Sequence, residues 1–169
     1  MIRPTLLTRQ TNQQQLEQFL SRVPSHVVVV LDEAYYEYAS TPAMGASDYP
    51  DGMQWLNEHA NLVVTRTFSK AYGLAGLRVG YSVSNAEIAD VLNRVRQPFN
   101  VNSLALAAAE AALQDHEHLK KGLACNVAGM QQFTHAFADF GLKYIPSIGN
   151  FVCVKVGDAA SIYELLLRE

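Results

Sequence analysis

Residues 62–84 read LVVTRTFSKAYGLAGLRVGYSVS. An apolar, β-branched run (LVVTR, 62–66) gives way to a glycine-spotted segment, and a second apolar run (LRVGYSV, 77–83) follows it. Runs of this length and composition predict strands of a sheet. The segment between them is broken by glycines and predicts a loop. Lys70 opens that loop directly after Thr67-Phe68-Ser69, and Arg78 stands eight residues further on.

Working outward, HVVVVL at 26–31 is a continuous β-branched run that ends at Asp32-Glu33. It predicts a strand buried on both faces of a parallel sheet. Residues 12–22 predict a helix with Leu16, Phe19, Leu20 and Val23 on one face. A loop to Gly52 and a short helix around Trp55 separate the first two strands. Ser84-Asn85-Ala86-Glu87 reads as a capping box. The helix it opens carries Ile88, Val91, Leu92 and Val95 at helical spacing, and Pro98 ends it.

An alanine-rich helix is expected over 103–114. A longer one is expected from about 116 to 140, with Gly122 and Gly129 as its weak points and Gly141 as its C-cap. NFVCVKV at 150–156 alternates like a strand, and Asp158 caps a last helix. Strands alternating with helices predict an α/β architecture. The character changes after about residue 115, so two units are expected, 1–115 and 116–169. The second is expected to be incomplete, because a lone strand pair leaves an open sheet edge.

The 169 residues suffice for one domain with a core, and 49% apolar with 17% charged residues is a globular composition. A net charge of -3 and the lack of any Lys or Arg run argue against a nucleic-acid partner. HVVVVL is too short to span a bilayer, and MIRPTLLTRQ lacks the apolar stretch of a signal peptide. A cytoplasmic location is the expectation. Cys125 and Cys153 have no metal-ligand spacing and are expected to be reduced core thiols. His26, His59, His116, His118 and His135 show no ligand pattern, so no metal site is expected. Glu33 and Glu37 make a poor hydrolase pair. Neither a nucleophile elbow nor a phosphate-binding P-loop motif occurs.

A lysine in a turn between strands is ordinarily a solvated surface residue. Its neighbours give Lys70 a second reading. Loops at the C-terminal ends of parallel strands are where α/β sheets hold ligands. Thr67 and Ser69 supply hydroxyls, and Arg78 offers a planar fork for phosphate. A phosphate held beside a lysine amine points to a phosphorylated cofactor bearing a carbonyl, and pyridoxal phosphate fits. Asp32 is either a turn residue or a carboxylate able to pair with a protonated pyridine nitrogen, which keeps such a ring an electron sink. Tyr35, three residues on, is either a packed loop aromatic or a phenol within reach of the same ring.

VVLDEAYYEY followed by TRTFSKAYGLAGLRVGY resembles the fold-type I pyridoxal-phosphate-dependent aminotransferases, and among them the histidinol-phosphate aminotransferases. The likeness runs from about residue 12 to the end and includes RQPFNVNSLALAAAEAAL and IPSIGNFVCVKV. It implies part of a mainly parallel large-domain sheet with flanking helices, then the start of a small α+β domain. Lys70 would form the aldimine with the cofactor. Asp32 would hold the pyridine nitrogen, Tyr35 the 3-oxygen, and Ser69, Arg78 and Thr67 the phosphate. Asn150 would lie near the substrate carboxylate. The implied reaction is amino transfer between histidinol phosphate and 2-oxoglutarate, in a homodimer.

The same likeness implies an expectation of partial length. Family members carry upstream a glycine turn, a ring-stacking aromatic and an Asn-Pro-rich motif, and downstream an arginine for the substrate carboxylate. None has a match in these residues. The rival readings are a lyase of the same fold, like a threonine-phosphate decarboxylase, and an inactive fragment acting at most as an assembly module.

Overall fold

The computed structural model describes residues 12–44 and 48–168. The expectation for the first ten residues lies outside them. Strands β1 (Val29–Asp32), β2 (Leu62–Thr67) and β3 (Gly80–Ser84) form a sheet in the order β1-β2-β3. β1 and β2 are parallel, with Asp32 opposite Thr65. β2 and β3 are antiparallel, with Thr67 opposite Gly80. The connection explains the reversal. Residues 68–79, all of them described, hold one short 3₁₀ turn (Ala75–Leu77) and no α-helix. A parallel return needs a crossover, usually helical. β3 therefore starts at Gly80, later than the predicted 77, because Leu77 to Val79 complete the loop.

One face of the sheet is packed. Val29 and Leu31 of β1 and Leu62 and Val64 of β2 meet Trp55 and Leu16 and Leu20 of α1 (Gln13–Arg22). Each such leucine contributes about 1.5–3 kcal/mol when fully buried. The register of α1 is set at its start. Asn12 Oδ1 accepts the Gln15 N–H at 2.9 Å, and Gln15 Oε1 accepts the Asn12 N–H at 3.3 Å. Phe19, expected on the buried face, is half-exposed.

The opposite face corrects the expectation that the first strand is buried on both sides. Val28 and Val30 are 59% and 61% exposed. The apolar surface on that side, Ile88 and Val91 of α3 (Ala86–Val95), stands off across a groove of about 610 Å³. α3 itself is capped one residue later than predicted. Asn85 Oδ1, not Ser84, accepts the Ile88 N–H, at 2.8 Å.

A second core holds the loop after β2. Phe68 and Val79 are buried against Ala105 and Ala109 of α4 (Ser103–Gln114). The alanines let the helix approach closely, so the ends of the 68–79 loop are pinned before Lys70 is placed. Asp115 ends α4 and caps α5 (His116–Asp139), which runs unbroken through Gly122 and Gly129. Gly141, at φ +66°, closes α5: its N–H bonds Ala138 O at 2.9 Å and the Leu142 N–H bonds Phe137 O at 2.8 Å.

Strands β4 (Tyr144–Ile145) and β5 (Cys153–Val154) form a small antiparallel pair, shorter than the predicted 150–156 strand. Asp158 caps α6 (Ala159–Leu166), as expected. Cys125 and Cys153 are free thiols, but both are exposed, which corrects the expectation of core residues. No described helix is long and apolar enough to cross a membrane.

Candidate functional site

The predicted site residues gather at the C-terminal ends of β1 and β2. Asp32 closes β1. Its Oδ1 accepts the Ala34 N–H at 3.1 Å and the Thr65 hydroxyl at 3.4 Å. The carboxylate forms no ion pair among the described residues. The chain then turns into the one-turn helix α2 (Tyr36–Ala39), with Tyr35 at its start. The Tyr35 ring faces three ways. Lys70 Nζ stands 5.0 Å from its centroid. Phe151 meets it edge-on at 5.7 Å. Gly149 lies so close that a Cβ there would come within 3.0 Å of Tyr35 Cδ1.

The loop after β2 is held by its own backbone. Phe68 N–H bonds Val79 O at 3.2 Å, Leu74 N–H bonds Phe68 O at 2.9 Å, and Gly73 N–H bonds Lys70 O at 3.0 Å. Thr67 Oγ1 accepts the Ser69 N–H at 3.1 Å, so part of its capacity goes to shaping the turn. Arg78 Nη1 donates to Ala75 O at 2.8 Å and to Ser69 Oγ at 3.3 Å. Arg78 has a left-handed backbone, φ 53° and ψ 48°. That conformation costs a residue with a Cβ, and such strain collects at ligand sites. Arg78 is exposed and has no carboxylate partner among the described residues.

Asn150 sits between Gly149 and Phe151, on the segment that packs against Tyr35. It also neighbours the Tyr38 phenol. Burial raises that phenol above its usual range and the Glu37 charge adds to the rise, while Lys70 and Asn150 pull it down. The fold thus brings Lys70, Tyr35 and Asn150 to one place and Thr67, Ser69 and Arg78 to another on the same loop. Asp32 is tied to β2 through Thr65. No group of three or more metal-ligating side chains is present among the described residues.

One cluster escaped the reading of the sequence. Glu33 is only 2% exposed, and its Oε1 accepts the Gly52 N–H at 2.6 Å. Arg66 Nε donates to Glu33 Oε2 at 2.9 Å, and Arg66 Nη2 to Asp51 Oδ1 at 2.7 Å. The guanidinium also lies 3.6 Å over the Tyr36 ring. Burial raises the Glu33 carboxyl above its usual range, and the Gly52 N–H and Arg66 oppose the rise. The legible signal was Arg66 itself: an arginine on a strand that opens with the buried run Leu62-Val63-Val64 needs a counter-charge if it is drawn in from solvent.

The chain thus presents a lysine on the loop between β2 and β3, an aspartate at the end of β1 without an ion pair among the described residues, and a Ser69–Arg78 contact. The chain belongs to the class I and II aminotransferases, whose family model matches residues 9–169. Its fold is that of the fold-type I enzymes among them. Among curated relatives, histidinol-phosphate aminotransferase 2 of Pseudomonas fluorescens is 59% identical over 157 residues, 92% of this chain and 41% of the relative.

Among solved structures, histidinol-phosphate aminotransferase from Sinorhizobium meliloti, in complex with pyridoxal-5'-phosphate, matches with TM-score 0.83 at 33% identity. The match covers 97% of this chain and 43% of that one. L-threonine-O-3-phosphate decarboxylase from Porphyromonas gingivalis shares the fold, with TM-score 0.79 at 24% identity over 98% of this chain and 49% of that one. The chain spans about two-fifths of the length of the curated relatives it matches.

Proposed function

We propose that the whole protein carrying this chain is a pyridoxal-phosphate-dependent aminotransferase of histidine biosynthesis, exchanging an amino group between histidinol phosphate and 2-oxoglutarate. One observation carries the reading: Lys70 Nζ stands over the Tyr35 ring at 5.0 Å, one residue from the Ser69 hydroxyl that Arg78 engages. The donor set fits such a cofactor. An exposed guanidinium without a carboxylate partner and two hydroxyls suit a phosphate. A carboxylate without an ion pair suits a protonated ring nitrogen. Arg66, by contrast, is committed to two carboxylates and is no phosphate ligand.

When bound, the cofactor supplies an electron-accepting ring that stabilises negative charge at the substrate Cα. The chain's own groups divide the remaining work. Ser69 and Arg78, with Thr67, hold the phosphate. Asp32 holds the proton on the ring nitrogen, and Tyr35 orients the ring through its 3-oxygen. Lys70 would hold the cofactor through its Nζ, and the same amine would carry the proton to and from the substrate Cα. Asn150 orients the carboxylate of 2-oxoglutarate or glutamate, the partner in the exchange that has one. We read residues 1–115 as the C-terminal part of the large cofactor-binding domain and 116–169 as a linking helix with part of the small domain. A cytoplasmic homodimer completes the reading.

The shared fold of the Porphyromonas gingivalis decarboxylase supports a second reading, cleavage of a different bond at Cα; fold alone does not choose between them. Assays in parallel do. The purified protein is given histidinol phosphate with 2-oxoglutarate, and separately threonine phosphate. Glutamate formed from the first pair bears out the aminotransferase. Carbon dioxide released from the second without glutamate from the first makes the protein a lyase. Inactivity with both leaves an assembly module.

A further inference from the structure

We infer that Glu33, Arg66 and Asp51 form a charged brace that positions Lys70 against Tyr35 and Asp32 by locking the C-terminal ends of β1 and β2 together; the inference rests on the cofactor site proposed above. Glu33 directly follows Asp32, and Arg66 lies four residues before Lys70. The Glu33 N–H extends the β1–β2 ladder by bonding Thr65 O at 2.9 Å. The Arg66–Glu33 contact, 2.8 Å at Nη2, then ties the two strands by side chain where their backbones part. Successive side chains of a strand point to opposite faces. Asp32 is accordingly exposed while Glu33 is buried, so the brace grips the site from below and leaves its ligand face clear.

The third member extends the grip. Asp51 Oδ1 accepts from Arg66 at 2.7 Å and from the Met53 N–H at 3.0 Å, and its Oδ2 accepts from the Tyr36 hydroxyl at 3.1 Å. Tyr36 is the residue next to Tyr35, and its ring lies 3.6 Å beneath the guanidinium. One arginine is thereby joined to both sides of the site: through its strand to Lys70, and through Glu33 and Tyr36 to Asp32 and Tyr35. Gly52 permits the closure, since a Cβ there would stand 2.8 Å from Glu33 Oε1 and 2.5 Å from Leu31 Cδ2.

A buried ion pair is a poor device for stability alone, because desolvating both charges offsets most of their attraction. Its strength is directional: a planar fork fixes two carboxylates in one geometry. Stability of the loop is already supplied by Phe68 in its own core. The brace therefore has placement left to provide.

The test uses Arg66→Lys, which keeps the charge and loses the fork, and Glu33→Gln, which keeps the shape and loses the charge. Tyr36→Phe, which keeps the ring and releases only Asp51, serves should either of these fail to fold. Each is titrated with pyridoxal phosphate, following the visible band and its pH midpoint, and is melted alongside. The brace predicts that Arg66→Lys and Glu33→Gln raise the cofactor dissociation constant about tenfold, a loss of about 1.4 kcal/mol. It also predicts a displaced midpoint, and the same changes in smaller degree for Tyr36→Phe. Lower melting temperatures with an unchanged constant and midpoint would overturn it. Should the parent protein give no visible band, the cofactor reading fails, and a crystal structure of Arg66→Lys decides the brace: Lys70 Nζ displaced from the Tyr35 ring upholds it, and a retained contact overturns it.

Discussion

Exchanging Arg78 for glycine and for alanine separates two roles that meet in one residue. Its backbone is left-handed, at φ 53° and ψ 48°. For a residue with a Cβ this costs about 1–2 kcal/mol. Glycine escapes that cost but loses about 0.5–1 kcal/mol in chain entropy relative to alanine. Both variants lose the same bonds, at 2.8 Å to Ala75 O and 3.3 Å to Ser69 Oγ, so that loss cancels in the comparison. Arg78→Gly is therefore expected to be the more stable of the two, by about 0.75 kcal/mol at the midpoints of these ranges, the reverse of the order found in helices and strands. Urea unfolding reads this as a midpoint higher by a few tenths molar for the glycine variant.

Cofactor affinity should not follow that ranking. Both variants lack the guanidinium, and losing a charge-assisted hydrogen bond costs about 1.5–3 kcal/mol. The dissociation constant for pyridoxal phosphate is expected to rise about 10- to 150-fold, equally in both. An alanine variant as stable as the glycine variant would refute the backbone argument. Parental affinity in either variant would refute the phosphate role.

Gly52→Ala is expected to destabilise by about 1–3 kcal/mol in urea unfolding, because its Cβ would stand 2.5 Å from Leu31 Cδ2 with strand residues behind it. Gly149→Ala meets a ring that can shift, Tyr35 Cδ1 at 3.0 Å, and should cost about 1 kcal/mol while weakening cofactor binding through Tyr35; a stable variant with parental affinity would count against Tyr35 as a ring ligand. Tyr49 is partly buried against Ala39 and Ile148, and this burial, with the charge of Glu33 adding to it, pushes its phenol up to about 12 from 10.0. The folded state then holds this proton more tightly than the unfolded one. Its stabilisation is complete below pH 10, falls away between pH 10 and 12, and amounts to about 2–3 kcal/mol. Tyr36, Tyr38 and Tyr72 are also raised by burial, so ultraviolet titration of the folded protein should show several late phenols, and Tyr49→Phe should remove one from the latest part of the curve.

The candidate site could be proposed from the sequence because its residues lie in short segments. Lys70, Ser69 and Arg78 fall within ten residues of one another and Asp32 and Tyr35 lie at one strand end, while their proposed roles come from the likeness to the aminotransferases. The brace was not legible as a unit, because Glu33, Asp51 and Arg66 come together through the parallel register of β1 and β2, which no local pattern encodes. Burial was read least well. A β-branched run such as 27–31 fits a strand covered on both faces, yet Val28 and Val30 are exposed, because cover on a strand face has to come from elements distant in the chain. The cap of α3 shifted by one residue because Ser84 and Asn85 both have capping side chains, and Ser84 already belongs to β3. Cys125 and Cys153 resemble core residues by type, while their helix and strand each leave them on an open side.

The most direct test of the account is covalent capture of the cofactor. The purified protein is mixed with pyridoxal phosphate, reduced with borohydride and mapped by mass spectrometry, with Lys70→Ala beside it. The account predicts a visible band before reduction and a single pyridoxyl group on Lys70, both lost in the variant. Absence of the band, or labelling spread over Lys120, Lys121, Lys143 and Lys155 as readily as over Lys70, would contradict it.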